Sequence, residues 1–110
     1  MEISHNEITP GTVVVTIAGK IMRGPESEQI VSLVDDLVRK GNKKFVFDLA
    51  GVSRIDSTGI GRFIASYNSV APLGGEIRMA AATGHLLQAF HVSMLDTVFP
   101  FYPSVEAALA

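Results

Sequence analysis

Cysteine is absent from the 110 residues, so the chain has neither a disulfide framework nor a thiol nucleophile. Cations are not in excess either. Nine Lys and Arg stand against eleven Asp and Glu, and a formal net charge of -2 is the wrong balance for nucleic acid, which attracts clustered Lys and Arg. No apolar run approaches the ~20 residues that span a bilayer, so no membrane insertion is expected. The opening residues, with Glu2, His5, Asn6 and Glu7, do not resemble a signal peptide. The cytoplasm is the compartment consistent with these absences. Catalytic signatures are missing as well. His5, His85 and His91 fall in different elements with no HExxH-like spacing, and Ser57 lies in no GxSxG elbow. Gly59-x-Gly61 has neither a Walker lysine nor a GxGxxG pattern. The chain therefore reads as a binding module with no cofactor rather than as an enzyme.

What is present favours a packed core. A hydrophobic fraction of 47% with 18% charged residues suits one domain, residues 1–110, burying roughly two thirds of its unfolded surface. Its organising stretch is Phe45 to Ala71. Phe45-Val46-Phe47-Asp48-Leu49 is apolar at both odd and even positions, which suits a strand covered on both faces. A turn at Ala50-Gly51 and a short connection lead to Ile55. Beyond it Ile60, Phe63, Ile64, Tyr67 and Val70 recur at helical spacing, so a helix is expected from Ser57 or Thr58 with these five residues inward.

Asp56, Ser57 and Thr58 can all cap a helix; on local grounds Ser57 reads first as an N-cap and only second as a hydroxyl offered at the helix's positive end. Gly59 and Gly61 each cost a helix about 1 kcal/mol relative to Ala. One reason to tolerate both is an open backbone that a partner approaches closely, centred on Ser57. Arg62, between core positions, is expected to point outward beside Ser57, where it would pair with a phosphate or an acidic partner residue. Asp48 and Asp56 are a conceivable Mg²⁺ pair, but such residues more often cap loops and helix ends. Asp56 is also expected to orient the Ser57 hydroxyl.

In chain order, Glu2–Ile8 and Thr12–Ala18 form a hairpin around Thr9-Pro10-Gly11, and Gly19 to Gly24 lead out of the sheet past an exposed Met22. Pro25 opens a helix with Ile30, Leu33, Val34, Leu37 and Val38 as its buried stripe and Gly41 as its stop. The return to Phe45 makes a right-handed βαβ crossover. Pro72–Gly75 break the chain before a strand at Glu76–Ala80. A third helix over Gly84–Phe90 places Leu86, Leu87 and Phe90 inward. Thr97–Tyr102 is extended, and Ser104 caps a last helix to Leu109. The fold class is α/β, a small mixed sheet with helices mainly on one face.

The string DLAGVSRIDSTGIG, with Gly74-Gly75, the SMLDTVF segment and the ending FYPSVEAAL, resembles the STAS domain of anti-sigma factor antagonists and of sulfate transporter tails, over nearly the whole chain. The resemblance implies that Ser57 (Thr58 in second place) is phosphorylated by a partner kinase. That partner would be an anti-sigma factor of the histidine-kinase-like ATPase fold, and a metal-dependent serine phosphatase would reset the switch. Asp56, Ser57, Thr58, Gly59, Gly61, Arg62, Lys20 and Met22 form the expected partner-binding set. Many antagonists carry an acidic GELD-like motif after the second strand; here it is Gly19-Lys20-Ile21-Met22. The alternative is a STAS subunit of another signalling or transport assembly, with Ser57 only a cap.

Overall fold

The computed structural model describes residues 1–110. The chain runs β1 (Glu2–Thr9), β2 (Thr12–Ile21), α1 (Pro25–Arg39), β3 (Lys44–Ile55), α2 (Ser57–Val70), β4 (Glu76–Ala80), α3 (Gly84–Val92), β5 (Phe101–Tyr102) and α4 (Val105–Leu109). The strands lie side by side in sequence order, β1-β2-β3-β4-β5. β1 pairs antiparallel with β2 as a hairpin, and every later pair is parallel.

That order decides where the helices go. Three consecutive crossovers step in the same direction across a parallel sheet, and the right-handed rule then puts all three helices on one face. Ile30, Val34 and Leu37 of α1, Ile60, Phe63 and Val70 of α2, and Leu86 and Phe90 of α3 share one core with Val13, Val15, Ile17, Phe45, Phe47 and Leu49. α4 covers the opposite face, where Ala108 meets Val14, Val46 and Ala80. β3 is therefore buried on both sides, as its unbroken apolar run requires. Arg78 holds α4 down by donating to the Ala108 carbonyl at 2.6 Å. Edge-on rings link the layers, Phe47 to Phe63 at 5.1 Å and Phe63 to Phe90 at 5.5 Å, which fixes α2 against the middle of the sheet.

Several local expectations fail for identifiable reasons. β2 continues past Ala18 to Ile21, and β3 continues past Leu49 to Ile55. Ala50-Gly51 is not a turn. Thr16 faces Asp48 while Ala18 faces Gly51, so β3 carries an extra residue there, and a second lies between Val52 and Arg54. A Cβ on Gly51 would sit 3.0 Å from the Ala18 Cβ, so the glycine permits close strand contact instead of reversing the chain. Because β4 ends at Ala80, opposite Asp48, β2 and β3 project beyond the rest of the sheet as a two-stranded arm. Ile64 and Leu87, expected inside, are 41% and 40% exposed. The Thr97–Tyr102 segment is extended only at Phe101–Tyr102, after a 3₁₀ turn at Leu95–Thr97.

Candidate functional site

The tip of that arm carries the DSTG sequence. Asp56, in extended conformation, is the N-cap of α2. Its Oδ1 accepts from the Gly59 amide at 2.7 Å and its Oδ2 from the Arg23 amide at 2.8 Å. The Asp56 amide in turn donates to the Ile21 carbonyl at 3.3 Å. One carboxylate thus ties the start of α2 to the segment leaving β2. The Gly59 amide, then that of Arg23, hold its carboxyl below the usual carboxylate range, against a smaller opposing push from burial.

This arrangement corrects two expectations about the serine. Asp56, not Ser57, caps the helix. Nor does Asp56 orient the Ser57 hydroxyl: its oxygens accept from the Gly59 and Arg23 amides, and no hydrogen bond joins it to Ser57 Oγ. Ser57 is instead the first helical residue, exposed, and its hydroxyl has no hydrogen-bond partner within the protein. Thr58, next in line, is half-buried.

The two glycines have opposite roles. Gly59 is buried, and a Cβ there would lie 2.2 Å from the Ile21 carbonyl oxygen and 2.8 Å from Ile55 Cγ1. It is the point where α2 presses on the ends of β2 and β3, so the close approach is made by the protein's own strand and no partner can use it. A Cβ on Gly61 would meet nothing within 4 Å. Gly61 is exposed and leaves open surface one turn from Ser57. Ser57, Gly61, Ile64 and Asn68 recur at helical spacing and are all exposed, a continuous outward stripe along α2.

Arg62 does not point outward. Its Nε donates to Ser27 Oγ at 3.0 Å and a terminal nitrogen to the Gly24 carbonyl at 3.3 Å, with Glu28 3.8 Å away. The side chain is only 22% exposed and fastens α2 to the first turn of α1. Lys20 and Met22 do belong at this end. Lys20 lies opposite Arg54 in the β2–β3 register, exposed, and Met22 follows half-buried. Arg23 and Arg54, both exposed, join them there and were missed by the sequence reading. Arg54 sits three residues before Ser57, a signal that was legible only if the arm had been recognised as strand.

The remaining features lie elsewhere. Asp48 Oδ1 accepts from the Ala50 amide at 3.2 Å, and with both Asp56 oxygens also engaged the two residues behave as local caps. A groove of about 280 Å³ between α4 and the hairpin, lined by Ile8, Thr12, Lys44, Arg78 and Leu109, lies at the other end of the parallel strands from Ser57. No helix is long and apolar enough to cross a membrane.

Comparison with known proteins places this geometry. The family model described as the STAS domain matches residues 5–108. BtrV of Bordetella bronchiseptica, named as a candidate anti-sigma factor antagonist, is 25% identical over 110 residues, all of this chain and 93% of its own length. Among solved structures, the Bacillus cell fate determinant SpoIIAA in its phosphorylated form superposes with a TM-score of 0.79 at 18% identity, over 98% of this chain and 96% of the other. A sulfate transporter family protein from Wolinella succinogenes gives 0.80 at 17% identity, over 94% of this chain and 86% of the other.

Proposed function

The chain belongs to the STAS domain family, and on that premise we propose that it is an anti-sigma factor antagonist whose partner binding is switched off by phosphorylation of Ser57. The observation that carries this reading is the state of that hydroxyl: exposed, without a protein partner, at the first position of a helix whose cap is supplied by Asp56. A serine used only as a cap would be hydrogen-bonded to the helix amides.

The partner in this reading is an anti-sigma factor serine kinase of the histidine-kinase-like ATPase fold, with a metal-dependent serine phosphatase restoring the free hydroxyl. The antagonist itself catalyses nothing. A phosphate adds about 1.5 to 2 negative charges, and a helix N-terminus stabilises them, so modification leaves the fold standing. What it changes is the stripe Ser57-Gly61-Ile64, where added bulk and charge prevent docking. SpoIIAA, a structural neighbour, takes this fold in a phosphorylated form, which supports the compatibility of the two.

The test pairs two substitutions with mass spectrometry. Ser57→Asp is expected to fold normally and lose the kinase partner, and Ser57→Ala to bind it and resist release. Tight binding by Ser57→Asp would sink the proposal. Phosphosite mapping on protein from its native cells should find Ser57 occupied, with Thr58 the second candidate. The shared fold of the sulfate transporter family protein supports one other reading, a scaffold in a transport assembly. Co-purification of a transporter ATPase with unmodified Ser57 would favour it.

A further inference from the structure

Of the nine cationic side chains, Arg39, Arg62 and Arg78 are held by carboxylates. The six without an ion-pair partner fall into two groups at opposite ends of the strands. Lys40, Lys43 and Lys44 lie where α1 ends and β3 begins. Lys20, Arg23 and Arg54 lie at the tip of the β2–β3 arm, with Lys20 and Arg54 side by side in register and the Arg23 amide bound to Asp56. All three of these side chains are on exposed residues.

The carboxylates at the arm's end do not cancel them. Glu26 is 3.0 Å from the amine of Met1, and Glu28 is the neighbour of Arg62. Asp56 is turned onto two backbone amides. Glu2 is exposed across the edge strand from Ala18, two residues along β2 from Lys20. Counting Asp56 and Glu2 against the three cations leaves a surplus of one positive charge at the tip of the arm, where α2 begins, on a chain whose net charge is negative.

We infer that this face selects a protein partner through a carboxylate-rich surface, and that phosphorylation acts by cancelling the charge that attracts it. This rests on the reading of Ser57 as the centre of the docking face. About two negative charges on a phosphate offset the local surplus, so Lys20, Arg23 and Arg54 turn from the partner to the phosphate. Three cations are too few for stable attachment to an anionic membrane, which takes clusters of about four to eight, or for the multiple phosphate contacts of nucleic acid. Met22, half-buried next to Arg23, and Ile64, exposed two turns along α2 from Ser57, add apolar surface of the kind a protein interface uses.

The direct test titrates the isotope-labelled full chain with a short polyglutamate peptide and follows backbone amides by NMR. Saturable shifts are expected around Lys20, Arg23 and Arg54 and not around Lys40, Lys43 and Lys44. They should shrink on raising the salt, and disappear in the Lys20→Glu/Arg54→Glu variant and in chain phosphorylated at Ser57. Equal shifts at both cationic groups, or shifts indifferent to the double reversal, would overturn the inference. So would binding to phosphatidylglycerol vesicles with no response to the peptide. The second arm uses the anti-sigma factor kinase of the same genome as probe. The double reversal should weaken its binding about tenfold or more, and binding unchanged within twofold would overturn the charge mechanism. If the parent chain answers the peptide as expected yet ignores the kinase, the charge selection stands and the identity of the partner in the proposed function fails.

Discussion

Replacing Gly59 and Gly61 in turn by alanine separates the two roles assigned to this helix start. In an ordinary helix either change would stabilise by about 1 kcal/mol. At Gly59 the new Cβ would be 2.2 Å from the Ile21 carbonyl oxygen, where unstrained contact begins at 3.4 Å. The obstruction is backbone of a strand paired to β3, so it cannot swing aside, and α2 must retreat by about 1 Å. That retreat stretches the Asp56–Gly59 hydrogen bond and loosens Ile60 and Phe63 in the core. Overpacking of this kind costs about 1–3 kcal/mol, and more where main chain must move. After subtracting the helical gain, Gly59→Ala is expected to lose about 2 kcal/mol or more. At Gly61 nothing lies within 4 Å and the backbone is not left-handed, so the gain is unopposed at about 0.5–1 kcal/mol. Urea unfolding monitored by circular dichroism should place the two variants on opposite sides of the parent, about 3 kcal/mol apart. A thermal scan should show the same order at roughly 4 °C per kcal/mol. A neutral or stabilising Gly59→Ala would refute the packing argument, and a destabilising Gly61→Ala would refute the claim that its surface is open.

Other perturbations test the remaining assignments. Asp56→Ala removes the cap and the tie to Arg23 and should cost about 1–2 kcal/mol in urea unfolding. Because the Asp56 carboxyl is held below its ordinary range in the folded chain, its contribution is complete above the unfolded pKa of about 3.9 and is lost as pH falls through the lowered folded value. Stability curves of parent and Asp56→Asn measured downward from pH 6 should therefore converge in acid. Arg62→Ala should destabilise by about 1 kcal/mol, since it removes the bonds that tie α2 to Ser27 Oγ and the Gly24 carbonyl and leaves those two only each other, while leaving the polyglutamate response intact. Arg78→Ala should free α4, seen as faster amide exchange at Ala107–Leu109 with little change around Ser57.

The sequence made the layers readable because the signals there were redundant. The run from Phe45 to Leu49 suited a strand buried on both faces, and Pro25 with the stripe Ile30-Val34-Leu37 suited an amphipathic helix ended near Gly41. The arm was not readable. Ala50-Gly51 has turn composition, and only pairing with β2 shows that the glycine is there to admit Ala18. Ile64 and Leu87 sat at helical spacing from true core residues, but the apolar stripes are narrower than the spacing allows, and neighbouring elements decide which edge is covered. Within the site, the capping residues were correctly found as a set and wrongly divided. Asp56, Ser57 and Thr58 are equivalent by propensity; what distinguishes them is that the Arg23 amide comes within 2.8 Å of only one. Arg62 shows the same limit, since a cation between core positions reads as solvent-facing until Ser27 and Gly24 of another helix start are beside it.

The division of labour inside this short segment has a consequence for how partners are chosen. Asp56, Gly59 and Arg62 are committed to backbone amides, to a strand carbonyl and to α1, so changing any of them changes the fold before it changes recognition. Lys20, Arg23, Arg54, Ser57, Gly61 and Ile64 carry no ion pair or side-chain hydrogen bond and leave the scaffold intact when altered. The two sets interleave along the chain, separated by the alternation of the strands and the pitch of α2. A rigid frame can therefore keep Ser57 at one fixed position while the charge around it is rewritten. Because the Ser57 hydroxyl makes no hydrogen bond within the protein, a phosphate added there is expected to leave the fold unchanged.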